Sequence, residues 1–302
     1  MIQFLLPLFI TGIFAADYSA HLPNAMDSLS YDERLEQAIE DFYQSNWKEA
    51  EQHFGKIEED FPDDPTPHFF SSMMPFWKYF LIEQDQELAN EFLSLSEKAI
   101  KLSEKQLERH PNDTTMVLML SGLHGYRSLV AAGEKNYRVA VRSGMTGFNF
   151  TRQLLSLNSE RADARIGRGM FYYMVGTIPR ELKWATNMVG LRGDMDQGFE
   201  ELKKASQSDS YISNDAKLML MYLYDREEQY NEALEYGSLL TEKFPKNVIF
   251  KYKKAEILEK NNRPEDAKNV YKEIIELNNP VLTRITEKSR DKVKELEKFT
   301  MN

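Results

Sequence analysis

One interval governs what this chain can fold into. Around Ala233 the sequence reads EQYNEALEYGSLLTEKFPKN, and around Ala267 it reads NRPEDAKNVYKEIIELNNP, so the two alanines lie 34 residues apart. An earlier copy, NWKEAEQHFGKIEEDFPDD, is centred on Ala50. Each has an aromatic or small residue four positions after the alanine (Phe54, Gly237, Tyr271) and an apolar residue seven after it (Ile57, Leu240, Ile274). Each then reaches a proline at the helix end (Pro62, Pro245, Pro280). Positions spaced by four and seven share one face of a helix. The small alanine lets a second helix cross closely, the aromatic fills the gap between hairpins, and proline cannot continue the helix. The chain is expected to stack helix–turn–helix units, each burying its apolar face against its neighbours.

A 34-residue unit with this alanine, aromatic and proline pattern resembles the tetratricopeptide repeat. The expected fold is all-α, a right-handed superhelical solenoid of about six helical hairpins with a C-terminal capping helix. Helices are expected near 30–45, 47–61, 67–84, 86–109, 114–133, 135–157, 161–177, 195–208, 212–226, 229–244, 248–261, 264–278 and 281–299. Regular repeats occupy 212–280, and the last helix, TRITEKSRDKVKELEKF, is charged over much of its surface, as a cap requires. The first helices of the central hairpins (FFSSMMPFWKYF, MVLMLSGL, GMFYYMVG, LMLMYLY) are apolar nearly all round, which reads as burial between neighbours.

Residues 161–205 carry a closer resemblance. Gly167, Gly169, Ile178, Pro179, Gly193, Asp194, Gly198, Phe199 and Leu202 occupy a Gly-x-Gly aromatic helix, an Ile-Pro, a Gly-Asp and a Gly-Phe-x-x-Leu helix. This pattern is similar to the tetratricopeptide repeat protein 39 and fungal outer-membrane inclusion-clearance family with its bacterial exported relatives. The likeness covers residues 110–245 well and the ends only as generic repeats. It implies an interaction scaffold and supplies no catalytic residues.

The N-terminus reads as an address. Ile2–Ala16 is an apolar run, IQFLLPLFITGIFAA, with Ala15 and Ala16 as a small-residue cleavage region. It is short for a spanning helix, which needs about 20 residues. The run carries no basic residue before Arg34, unlike an ordinary signal peptide, and Pro7 and Gly12 make it a poor buried helix. The expectation is a signal peptide over 1–16 and one repeat domain over 17–302. The product is then exported, periplasmic or extracellular, and soluble after cleavage. No cysteine is present, which removes disulfides, thiol catalysis, Cys-ligated metals and a lipidated N-terminal Cys. The net charge of −10 disfavours nucleic acid as a partner.

Chemistry is sparse. His21, His53, His68, His110 and His124 show no ligand spacing, and His124 on an apolar helix reads as a core residue. Serines lack a nucleophile-elbow frame, and Gly167-x-Gly169 lacks the third glycine of a dinucleotide loop. The protein is expected to be non-catalytic, with no cofactor or metal.

Charge is unevenly spread. Between Leu120 and Arg192 the net charge is +7, against −14 for residues 1–119 and −3 for 193–302. Nine of the 15 arginines fall in that window, with only Lys135 and Lys183 beside them. Guanidinium forks bind carboxylates bidentately, so the block reads either as internal pairing with neighbouring acidic helices or as a ligand site. Placing Gly122, Gly167 and Met221 at the eighth position of successive inner helices brings candidate residues onto the groove. These are Tyr126 and Arg127, then Arg161, Arg168, Phe171 and Tyr172, then Tyr222 and Arg226. The expected function is a non-catalytic scaffold binding a protein or peptide with acidic and aromatic groups. The alternative is a carrier enclosing a small apolar or lipid ligand among the Met and aromatic side chains.

Overall fold

A computed structural model describes residues 30–157, 159–178 and 192–300. Among them are thirteen α-helices and no strand. They are α1 (Tyr31–Tyr43), α2 (Trp47–Asp60), α3 (Pro65–Trp77, continued by a π-helical turn over Lys78–Ile82), α4 (Gln86–Arg109), α5 (Thr114–Gly133), α6 (Tyr137–Ser156) and α7 (Ala162–Gly176). Then come α8 (Met195–Ser206), α9 (Ile212–Arg226), α10 (Tyr230–Lys243), α11 (Val248–Lys260), α12 (Pro264–Leu277) and α13 (Thr283–Thr300). The expected boundaries hold to within about two residues, apart from the π-helical end of the third helix. The expected signal segment 1–16 lies outside the described residues, as does Pro179 of the family-like stretch.

Local chemistry starts these helices. Ser30 accepts from Glu33 N–H while Glu33 reaches back to Ser30 N–H, a reciprocal cap on α1. Asp64, Asp113, Asp194 and Asn247 cap α3, α5, α8 and α11 by accepting from backbone N–H groups two or three residues on. Pro65 and Pro264 sit at the first helical turn, where the missing N–H costs nothing.

The hairpins repeat one turn. Ser45, Lys135, Glu228 and Asn262 all adopt positive φ, between 55° and 61°. In every case the next helix begins two residues later. The residue after each donates its N–H to the carbonyl five back: Asn46 to Asp41, Asn136 to Ala131, Gln229 to Tyr224 and Arg263 to Leu258, at 2.7–2.9 Å. Five residues past each positive φ stands a buried alanine: Ala50, Ala140, Ala233 and Ala267. The α1–α2, α5–α6, α9–α10 and α11–α12 hairpins are thus copies of one design. The copy at Ala140 escapes the sequence pattern because Gly144 and Gly147 replace the aromatic and apolar positions, and no proline closes its helix.

The described helices form two compact units, residues 100–220 and residues 30–99 with 221–300. In the first, α5 packs on α6, α6 on α7, and α7 on α8. Val117, Leu118, Leu154 and Ala164 form part of its core. Glycines set the α7–α8 crossing: a Cβ on Gly198 would lie 2.7 Å from Tyr173 N and 2.8 Å from Gly169 O. Both obstacles are backbone, so only glycine permits this approach.

The second unit has an aromatic core in which Phe42 contacts Trp47, Phe70 and Trp77 at centroid distances of 4.8–6.0 Å. It also joins the two ends of the chain. Asn247 donates to Tyr43 O at 2.6 Å and Asn279 to Ser45 O at 2.9 Å. The rings of Tyr43 and Phe244 stack at 5.1 Å. A simple solenoid limits each repeat to its immediate neighbours. Here the first hairpin sits on the α10–α11 turn, about two hundred residues further along. The capping helix α13 is likewise engaged, with Lys288 donating to Ile82 O and Arg284 3.4 Å from Glu83.

Candidate functional site: the arginine-rich inner helices

The eight candidate groove residues fall six in the first unit and two in the second. Their positions follow from the helices that carry them. On α5, Tyr126 is fully buried and Arg127 half-buried. Burial, and then the Asp215 carboxylate, raise the Tyr126 phenol, so it stays protonated at all ordinary pH. On α7, Phe171 is buried and Tyr172 half-buried. On α9, Tyr222 lies beneath the Lys253 ammonium, 4.7 Å from its ring centroid, and Arg226 is exposed.

Arg161 and Arg168 serve their own chain. Asp163, wholly buried at the start of α7, accepts from Arg161 Nη2 at 3.0 Å, from Thr115 Oγ1 at 3.2 Å and from its neighbour Ala164 N–H at 2.8 Å. Arg161 Nη2 also donates to Thr115 Oγ1, tying α7 to α5. Glu201 on α8 takes two further guanidiniums. Arg168 Nη2 and Nε donate to its Oε2 at 2.6 and 3.1 Å, and Arg165 Nη1 reaches both its oxygens at 3.2 Å. Arg168 Nη1 donates to Ser159 O at 2.7 Å. For these arginines the internal-pairing reading is the one the geometry carries. Their side chains clamp α7 against α8 and α5.

A second buried cluster lies at the end of α9. Asp225 accepts from Lys253 at 2.7 Å and from Lys260 at 2.7 and 2.8 Å. Burial alone would raise the Asp225 carboxyl, but the two ammonium groups outweigh it and hold it below the usual carboxylate range.

His124, expected in the core, is half-buried on α5. Its ring stacks on Phe150 at 5.9 Å, and among the described residues neither ring nitrogen has a hydrogen-bond partner. Burial, reinforced by Arg127, lowers its pKa to about 4. Among the described residues no three carboxylate or imidazole groups are grouped to hold a metal, and no helix is long and apolar enough to cross a membrane. The inner-helix Met and aromatic side chains, including Met73, Met74, Met170, Met219 and Met221, are packed in the core.

Comparison with known proteins follows the same lines. Residues 160–285 match the family described as Iml2/Tetratricopeptide repeat protein 39, a stretch that runs from the Arg161–Asp163 pair through two of the four copied turns. Over that stretch the chain is similar to this family, and its described residues fold as the helical hairpins such repeats form. Among solved structures it is similar to a tetratricopeptide repeat protein from Parabacteroides merdae ATCC 43184, at 16% identity, covering 89% of this chain and 99% of that one, with a TM-score of 0.32. No curated protein matches it.

Sequence reasoning missed Asp163 and Glu201, the acceptors that absorb the arginines. Asp163 is one of four carboxylates in the basic block, and nothing in the sequence marks it as the buried one. Glu201 lies 33 residues from Arg168, a pairing that needs the α7–α8 crossing to be known.

Proposed function

We propose that this protein is a non-catalytic scaffold that binds another protein or peptide on its helical repeats. The observation that carries the reading is the recurrence of one hairpin turn at Ser45, Lys135, Glu228 and Asn262, which gives stacked helices with preformed surfaces. A preformed surface binds without paying the ordering entropy of a folding receptor. Of the candidate residues in the first unit, Tyr172 on α7 is half-buried, and Arg161 and Arg168 are held by Asp163 and Glu201. The apolar Ile2–Ala16 run supports export, which N-terminal sequencing of the natively produced protein tests directly.

The scaffold reading is tested with the full chain. Partner is captured from native extract, and hydrogen exchange is compared with and without it. Slower exchange in α5, α7 and α9 is expected. An unchanged exchange pattern across all the helices in the presence of a captured protein would count against the reading.

A further inference from the structure

The second helix of the α5–α6 hairpin turns outward a face that the ion-pair network does not use. Tyr137, Val141 and Met145 are 60%, 62% and 65% exposed, the highest values among the large apolar side chains of the described residues. Spaced by four, they form one ridge along α6, about 12 Å long at 1.5 Å per residue. Phe148, half-buried, continues it into the next turn. Arg138, Arg142 and Arg152 lie in the same exposed arc. Among the described residues none of these three enters an ion pair or donates a side-chain hydrogen bond, in contrast to Arg161, Arg165 and Arg168. The helix YRVAVRSGMTGFNFTRQLLS contains no acidic residue at all, in a chain of net charge −10. Its opposite face, with Ala140, Ser143, Gly147, Thr151 and Leu154, is buried.

A regular apolar ridge left in water beside unpaired guanidiniums marks a contact surface. Its form selects the partner. The ridge is one helix wide, which suits the groove of a second helix packed across it. The flanking charges are arginines, whose forks seat carboxylates bidentately. An anionic bilayer is also attracted to arginine beside apolar side chains. It is an extended plane, however, whereas the ridge is one helix wide and about 12 Å long, the footprint of a crossing helix.

We propose that the outward face of α6 docks an acidic amphipathic helix of a partner protein, its apolar stripe on Tyr137, Val141 and Met145 and its carboxylates on Arg138, Arg142 and Arg152. The proposal rests on the scaffold reading but uses a surface apart from the candidate groove.

The test uses the full chain and three probes: a synthetic amphipathic helix with a leucine stripe flanked by glutamates, the same peptide with lysines for glutamates, and phosphatidylserine vesicles. The glutamate peptide is expected to bind at least about tenfold more tightly than the lysine peptide, with affinity falling as salt rises. The R138E/R142E/R152E variant, altered only at exposed positions, should keep its melting temperature and invert that preference. V141E/M145E should lose both peptides. Equal affinity for the two peptides, or vesicle binding without peptide binding, overturns the proposal. A photo-crosslinker placed at Met145 and, separately, at Tyr172 separates the two readings in native extract. An acidic protein segment attached at Met145 supports the docking face. Attachment only at Tyr172 overturns the α6 proposal and leaves the scaffold reading standing, and attachment at neither position overturns both.

Discussion

Replacing Arg168 by methionine keeps the aliphatic stem of the side chain and removes its charge. Three N–H donations are lost: two to Glu201 at 2.6 and 3.1 Å and one to Ser159 O at 2.7 Å. The Arg168 side chain is 9% exposed and that of Glu201 15%, so water does not readily replace the bonds. Breaking a buried pair and isolating one partner costs about 3–5 kcal/mol. Glu201 is not isolated, because Arg165 still reaches both its oxygens at 3.2 Å. The expected cost of Arg168→Met is therefore lower, about 2–3 kcal/mol. Glu201→Ala, by contrast, strands Arg168 and half of the Arg165 contacts together, and should cost about 3–5 kcal/mol. Combining the two changes should cost less than the sum, by about 1–2 kcal/mol, because the residues share one interaction. Urea unfolding followed by far-ultraviolet circular dichroism measures all three, from the midpoint shift and its slope. A loss below about 0.5 kcal/mol for Arg168→Met, the value of an exposed pair, would refute the clamp.

Other expectations follow from separate parts of the molecule. Gly198→Ala should destabilise by about 1–3 kcal/mol, since its Cβ meets backbone atoms at 2.7 and 2.8 Å. Gly167→Ala should cost less, because its nearest obstacle is the mobile end of Leu154 at 2.2 Å; thermal melts that reverse this order contradict the crossing geometry. Asn247→Ala removes both the α11 cap and the bond to Tyr43 O, and should cost about 2–4 kcal/mol. Asn247→Asp keeps the cap, so its remaining loss in urea unfolding reports the end-to-end contact, and a neutral Asn247→Asp would dismiss it. His124 has its pKa lowered from 6.5 to about 4 by burial and then Arg127. The unfolded chain therefore binds a proton that the folded chain refuses, and stability is present above pH 6.5 and lost as pH falls toward 4. His124→Phe keeps the stacking on Phe150 and should remove part of that loss, at most about 3 kcal/mol, when urea midpoints at neutral and acid pH are compared.

The repeat architecture was legible wherever the local rules act alone. Ala50, Ala233 and Ala267 mark helix crossings, and each does so through neighbours a few residues away. The two helices of the α5–α6 hairpin were expected, but its kinship with the copies at Ala50, Ala233 and Ala267 was hidden because the helices approach over glycines, so the aromatic and apolar anchors are absent. The docking of Tyr43 on Asn247 leaves no periodic trace, being a contact between helix ends far apart in sequence. The candidate site was read from a register that places arginines on an inner face. That register could not show whether acceptors stand opposite them. Asp163 and Glu201 do so for Arg161 and Arg168, while Arg138, Arg142 and Arg152, on the outer helix of the hairpin, have no such acceptor among the described residues.

The central claim is that this repeat protein acts by holding another protein. Native mass spectrometry of the full chain, captured gently from its natural source, tests it most directly. The account predicts a defined complex with a protein or peptide, dissociating as salt is raised, and no small molecule retained by the chain alone. A chain carrying a bound lipid or other small apolar molecule at fixed stoichiometry, with no protein partner, would contradict it.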